Sequence, residues 1–507
     1  MFHLDGLQPV WDNSIINEDV TTADFHMGEP IRREMVFSPD RPWEGNLHYA
    51  NVLKDGDIYR MYYLTHVNSK DPCPKYNYTE EEIAEDKGLL CYTNTFICYA
   101  ESRDGLHWER PNLGLREYKG STENNIILRS EDVPVRVSMF DNFFVFKDTN
   151  PTCPADEKYK GLGFDCRSLD KDVLSTFWNG LSYYASGDGV SFRFMRTLRI
   201  PEGTYDTLNT CTYDEKTGKY VLYYRGWHNI PEGGPRIKGT RDVKWAESTD
   251  FINWKGFKQI SYNDEEDYSV YTNHIMRYYR NPNILIGFPT RSTERQEWTS
   301  NYDELPWREE RIQKMQVSHP RDGLAMTDCL FMCSRDGQNW TRHNEAFFTP
   351  GPETKRNWVY GDCYPAYMMI ETPAEDGCNF EISMFMPTPN RGEDQEKNPE
   401  NLYRYAIRRD GFAYYQAKAN GAKVVTKPFV FDGNRMQINF ATSAYGNVYI
   451  TIRDRDGNEA KTCELFGNSD HRNVKFENAD IGDFSRKEVT LTFDMKDAKL
   501  YSFEFLE

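Results

Sequence analysis

The feature that most restricts this chain is a turn that recurs along it. The segments AESRDGLHWER (100–110), YASGDGVSFRF (184–194), AESTDFINWKG (246–256) and CSRDGQNWTRH (333–343) share the pattern Ser-x-Asp-(Gly)-x-x-Trp/Phe, and a degenerate fifth copy, IRRDGFAYYQA, spans 407–417. Asp-Gly between two alternating aromatic runs signals a hairpin, because glycine supplies the positive φ that a tight turn needs. A second element keeps step with the first. The strand-like runs DIYRMYYLTH (57–66), EKYKGLGFD (157–165), GKYVLYYRGW (218–227), PNILIGFPTR (282–291) and FEISMFMPTP (380–389) each precede one turn copy. Five strand signals coupled to five turn signals, about 60–90 residues apart, predict a five-bladed β-propeller, each blade a four-stranded antiparallel sheet. The 33 Tyr, 30 Phe and 11 Trp fit this, since aromatic side chains favour a pleated surface.

Beyond residue 410 the texture changes to short alternating strands separated by Asp-Gly, Gly-Asn and Lys-Asp turns. A small β-sandwich is expected there, with Phe431, Ile438, Phe440, Val448, Ile450 and Phe503 facing its core. The expected fold class is therefore all-β, a five-bladed β-propeller over 1–410 followed by a C-terminal β-sandwich over 411–507. Three insertions, at 67–90, 228–242 and 292–323, are long enough to wall a site at one end of the propeller axis. The first has room for a short helix.

The formal charge of −18 disfavours phosphate backbones and anionic membranes, and a neutral or cationic ligand suits it better. No nucleic-acid or membrane partner is expected; a homo-oligomer is compatible with the reading. The N-terminal segment has neither a basic region nor an apolar run, and the 11 cysteines are scattered without a CxxC pair. Reduced thiols and a cytoplasmic location are expected, or secretion if a signal peptide has been removed. No metal-ligand spacing, phosphate loop or nucleophile elbow occurs, so neither metal nor cofactor is expected.

In a propeller the innermost strands line the axis, so acids at equivalent blade positions converge. Glu44 in PWEGNLHYANVL, Asp141 in MFDNFFVFKD, Asp206 in TYDTLNTCTYDE and Asp362 in VYGDCYPAYMM stand near the expected starts of blades one, two, three and five. Blade four offers Asn273 and His274 instead. Cleaving a glycosidic bond requires two carboxyl groups flanking it, one to protonate the leaving oxygen and one to attack or to activate water. A third acid would tune the other two. Trp43, Trp227 and Trp307 could stack on a sugar face. Arg225, Arg291, His48, His274 and Asn209 could meet its hydroxyls.

The PWEGN segment, FDNFFVF followed by EKYKGLGF, and LHWERPNLGLREYKGSTENNII resemble the five-bladed propeller glycoside hydrolases of families 32, 43 and 68, especially family-32-like bacterial proteins. The resemblance implies a glycosidase acting on a furanoside, such as a fructoside or arabinoside, or on a short oligosaccharide. It implies that Glu44 stands near the blade-one nucleophile, that Asp141 takes the place of the blade-two stabilising Asp, and that Asp206 matches the blade-three acid. The chain departs from the pattern in two places. Trp-Glu-Gly-Asn replaces the family 32 Asn-Asp-Pro-Asn-Gly, and blade three carries Asp206 and Asn209 instead of Glu-Cys. Two alternatives stand beside this reading. A phosphorylase or transglycosidase would need a phosphate pocket from Arg225, Arg291 and Arg321, whereas a carbohydrate-binding propeller would need no acid at all.

Overall fold

Aromatic and aliphatic residues follow one another over residues 61–64 in the second strand of blade one, and both faces of that sheet are covered. In Ile58–His66, the side chains of Met61 and Tyr63 pack against Phe385 and Leu402, while Tyr62 and Leu64 pack against Phe143 and Val145. A blade lies between two other blades, so each of its faces must be apolar, and the clean alternation of a half-solvated sheet is lost. The computed structural model describes residues 2–66, 95–129, 132, 137–168, 180–201, 203, 205–234, 238–317, 320–354, 357–388 and 400–507. The 67–90 insertion expected from the sequence lies outside the described residues.

Five sheets follow one another along the chain, antiparallel throughout except for one short parallel pairing, Ser261–Tyr262 on Asn339–Phe348, in the fourth. The first comprises His48–Asp55, Ile58–His66, Thr95–Ser102 and Ile126–Arg129, and the second Val137–Lys147, Tyr159–Ser168, Gly180–Ser186 and Arg193–Arg199. The third comprises Thr210–Asp214, Lys219–His228, Thr240–Ser248 and Trp254–Gln259. The fourth is built on Met276–Tyr278, Asn281–Gly287, Ala325–Ser334 and Asn339–Phe348, widened by three short strands. In the fifth, Met369–Pro373, Phe380–Pro387 and Leu402–Arg408 are completed by Ile31–Phe37 from the other end of the chain. The ring is thus closed by hydrogen bonds between its first and last strands.

The recurring turn follows the third strand of blades one to four, and in blades two to four it leads directly into the fourth. The carboxylates of Asp104, Asp188, Asp250 and Asp336 each accept from two backbone N–H groups downstream and from the serine hydroxyl two residues upstream. Burial raises the Asp188 carboxyl, but the N–H groups of Ser191 and Val190 and the Ser186 hydroxyl outweigh it and bring it down to about 2. Gly105, Gly189 and Gly337 supply φ near +75°, and in blade three Phe251 takes the same left-handed region at φ 66°. The fifth copy is not such a turn. Blade five receives its fourth strand from the N-terminus, so the chain leaves the propeller at Asp410. There Tyr278, Arg280 and Ser502 hydrogen-bond to its carboxylate.

The sandwich is dominated by two long paired strands, Arg435–Asp454 and Val489–Leu506. Phe431, Ile438, Phe440, Val448, Ile450 and Phe503 are all buried in its core. N-terminal residues join it as well: Leu7–Pro9 pairs with Val489–Leu506, Asp24–Met27 with Ala413–Ala417, and His3–Leu4 runs parallel to Val430–Phe431. Between sandwich and propeller lies Trp11, edge-on to Tyr278, Phe331 and Phe412, with its indole N–H donated to the Asp410 carbonyl at 2.8 Å. The 292–323 insertion, expected as a loop, contains the short helices Ser300–Glu304, Arg308–Val317 and Arg321–Leu324.

Candidate active site at the propeller mouth

Hydrogen bonds between consecutive blades bring the inner strands to one axis. The Asn51 amide donates to the Val145 carbonyl at 3.0 Å and accepts from its N–H at 2.8 Å, linking blades one and two as a strand neighbour would. Asn142 donates to the Tyr205 carbonyl at 2.6 Å, and Thr207 donates to the Tyr271 carbonyl at 2.7 Å. Thr290 donates to the Cys363 carbonyl at 3.0 Å, and the Tyr367 N–H donates to the Ala50 carbonyl at 2.8 Å, closing the circuit. An asparagine recurs at the inner edge of blades one to four: Asn51 and Asn142 within the first strands of blades one and two, Asn209 and Asn273 just before those of blades three and four. The sequence carries this asparagine repeat openly, in YAN, FDN, TLN and YTN.

Strand order decides which residues share the mouth. Each blade's second strand runs antiparallel to its first, so the end of the second strand lies beside the start of the first. In blade three this sets Asp206, Arg225, Trp227 and Arg241 at one end, with Trp227 directly opposite Arg241 in the ladder. The Asp206 carboxylate is 40% exposed and accepts from Arg225, whose side chain is 5% exposed. Arg241 lies 3.9 Å above the Tyr271 ring and 5.0 Å from that of Trp227. Tyr271 meets the Tyr360 ring edge-on at 5.3 Å, and Arg321 lies 4.9 Å from Tyr360. Burial, reinforced by Tyr360, pushes the Tyr271 hydroxyl upward, so it stays protonated and can donate to Glu294 at 3.5 Å. The result is a wall of alternating arginine and aromatic side chains across blades three, four and five.

Asp141 lies on the inner strand of blade two, one residue before Asn142. The register passes from Phe164 opposite Asn142 to Asp165 opposite Phe140, which leaves Asp141 as the extra residue of a bulge. Bulges re-aim residues and recur beside active sites. The Asn142 side chain is bonded to the Tyr205 carbonyl, so Asp141 precedes and Asp206 follows a residue of that link across the seam between blades two and three. On the blade-one side, His48 is half-exposed, with Nδ1 3.7 Å from the buried carboxylate of Glu400, which accepts the Leu47 N–H at 3.0 Å. Asp362 is buried on the blade-five rim, where one oxygen accepts the Val359 N–H at 3.0 Å. It also borders a cavity of about 790 Å³ along the seam of blades four and five.

Other expected site residues sit away from this mouth. Glu44 is buried behind blade one, where its carboxylate accepts from the Tyr63 hydroxyl, from Arg110 Nε at 2.8 Å and from the N–H groups of Asp40 and Arg41. Those bonds engage both oxygens in holding a loop. Trp43 donates its indole N–H to Asn125 at 2.7 Å and packs edge-on against Tyr118. Arg291 forks onto Asp328 at 3.0 and 2.6 Å and reaches the Asn344 carbonyl at 2.8 Å. His274 is wholly buried, and burial holds its imidazole down to about 4, against carbonyl bonds from Phe288 and Pro365 that favour the cation. Asn209, by contrast, lies at the seam of blades two and three, sharing the Tyr205 carbonyl with Asn142 and donating also to the Thr207 carbonyl.

Arg241, Tyr271, Glu294, Tyr360 and Glu400 belong to the rim, yet a search for acids at blade starts passes over them. Arg241 opens a third strand and Glu294 ends a strand that bends away from the second. A rule that also took the ends of second strands and the starts of third strands would have found Arg241 opposite Trp227. Among the described residues no His, Cys, Asp and Glu side chains converge as a metal site would.

No protein-family model and no curated protein matches the chain. Among solved structures it is similar to a glycoside hydrolase, at 12% identity and TM-score 0.44, covering 75% of this chain and 92% of that one. It is similar to an N-acetylgalactosamine deacetylase from F. plautii in complex with blood group B trisaccharide, at 12% identity and TM-score 0.42, covering 75% and 94%. It is also similar to a Bombyx mori family 32 beta-fructofuranosidase, at 9% identity and TM-score 0.39, covering 97% and 95%.

Proposed function

We propose that this chain is a glycoside hydrolase whose active site is the propeller mouth, acting on a furanoside or a short oligosaccharide. The observation that carries the reading is the seam of blades two and three. There a partly exposed Asp206 carboxylate, held by Arg225, stands beside the bulge that bears Asp141. Two carboxyl groups from neighbouring blades suit the two roles of glycoside cleavage, one donating a proton to the leaving oxygen and one attacking or activating water. Arg225 fixes the Asp206 side chain before substrate arrives, so less orienting entropy remains to be lost in the transition state. Trp227, only partly buried, provides an aromatic face on which a sugar ring can stack. Glu44, with both oxygens engaged elsewhere, has no part in this scheme.

The test is a hydrolysis screen of the wild type, Asp141→Asn and Asp206→Asn against aryl furanosides, aryl pyranosides, fructans and arabinans. Each substitution is expected to lower turnover by about 10²–10⁴-fold on whichever substrate the wild type cleaves, with an unchanged circular-dichroism spectrum. Unimpaired turnover in either variant removes that residue from the chemistry. Sugar binding that survives both changes in a protein that cleaves nothing favours a binding module instead.

A further inference from the structure

The arginine wall carries a charge that the hydrolase reading leaves unexplained. Arg241 is only 9% exposed, its guanidinium stacked on Tyr271 and close to Trp227. Its backbone N–H donates to Ser269 at 3.3 Å, but among the described residues no carboxylate or carbonyl meets its side-chain donors. Arg225 and Arg291 differ from it: Arg225 is matched by Asp206, and Arg291 by Asp328. An aromatic face compensates a cation from one side only. The guanidinium edge, with five N–H donors in a planar fork, is still without an acceptor. A buried charge is stable when it is paired, so an unpaired one at the rim of a binding mouth points to a partner that arrives with the ligand.

We propose that Arg241 seats a carboxylate of the substrate, and that the mouth selects an acidic oligosaccharide, one bearing a uronate, over its neutral counterpart. This rests on the mouth being the substrate site. A planar monoanion matches a single fork with two parallel hydrogen bonds. A phosphate dianion matches it less well, because Asp206 and Glu294 lie on the same rim and would repel the second charge. Trp227, opposite Arg241 in the ladder, lies where the ring bearing that carboxylate can stack. The net charge of −18 had favoured a neutral or cationic ligand, but that field is long-ranged and screened by salt, whereas the Arg241 contact is local and desolvated.

The experiment is calorimetric binding by the full chain of trigalacturonate and of a glucuronate-bearing xylotriose, each against its methyl ester, with inorganic phosphate as a separate titrant. The ester keeps the sugar's shape and removes the charge. The wild type should bind acid over ester by about 10- to 100-fold, the range of a charge-assisted hydrogen bond. That ratio should fall toward one in Arg241→Met and remain partly in Arg241→Lys, which keeps the charge without the fork. Equal binding of acid and ester by the wild type overturns the proposal. So does an undiminished ratio in a folded Arg241→Met protein, or millimolar phosphate displacing the acid form. Acid-selective binding without hydrolysis of any sugar would keep this inference and sink the hydrolase reading alone.

Discussion

Replacing Glu44 by alanine or glutamine separates a structural carboxylate from a catalytic one. Its carboxylate takes Arg110 Nε at 2.8 Å and the Tyr63 hydroxyl, and Arg110 lies 4.0 Å above the Phe37 ring on the strand that closes the propeller. Removing Glu44 leaves the largely buried Arg110 with only Asp40 at 3.7 Å and the Ser38 carbonyl, at a cost of about 3–5 kcal/mol. For the propeller over residues 31–408, at about 2.1 cal/mol/K per residue, the unfolding entropy is about 0.8 kcal/mol/K. A loss of about 4 kcal/mol then lowers the propeller's melting temperature by about 5 °C. Scanning calorimetry reads this directly, and a second substitution, Arg110→Met, should recover part of the loss by removing the stranded charge. Turnover per folded molecule should stay within a few-fold of wild type below the transition. The reasoning fails if Glu44→Gln melts where the wild type does and has lost its activity by orders of magnitude, because the carboxylate would then act in chemistry.

Three further outcomes follow from the geometry. His274 titrates in the folded state near 4 against an ordinary value near 6.5, so its contribution is complete above about pH 6.5 and lost as pH falls toward 4. That difference is worth about 3 kcal/mol, and His274→Asn, which suits the residue's φ of 43°, should flatten urea midpoints measured between pH 7 and 4. Trp11→Ala should cost about 3–5 kcal/mol and split one calorimetric transition into two, because Trp11 packs on Tyr278 and Phe331 of blade four and on Phe412 at the sandwich; a single unshifted transition would show that other contacts couple the two parts. Asp336→Ala strips the acceptor from Gln338, Asn339 and Ser334 and should lower stability by about 1–3 kcal/mol without touching activity; an equal loss of turnover would place blade four's outer turn in the mechanism.

The amino-acid sequence by itself determined the blade repeat. Ser-x-Asp-Gly turns close locally, through side chain to backbone hydrogen bonds within three residues, so their spacing can be read without knowing what packs on them. It also determined the apolar strands and the sandwich core from Phe431 to Phe503, because burial on a strand follows from period and composition. Tertiary structure decided what depends on partners distant in the chain. The degenerate turn at Asp410 becomes an exit because its blade takes a strand from Ile31–Phe37, about 370 residues away. Glu44 turned inward because Arg110 lay within reach, and Arg241 came to the mouth because the ladder set it opposite Trp227. An acid's side of a sheet, and whether a charge finds its counterion, depend on three-dimensional neighbours that no local pattern encodes.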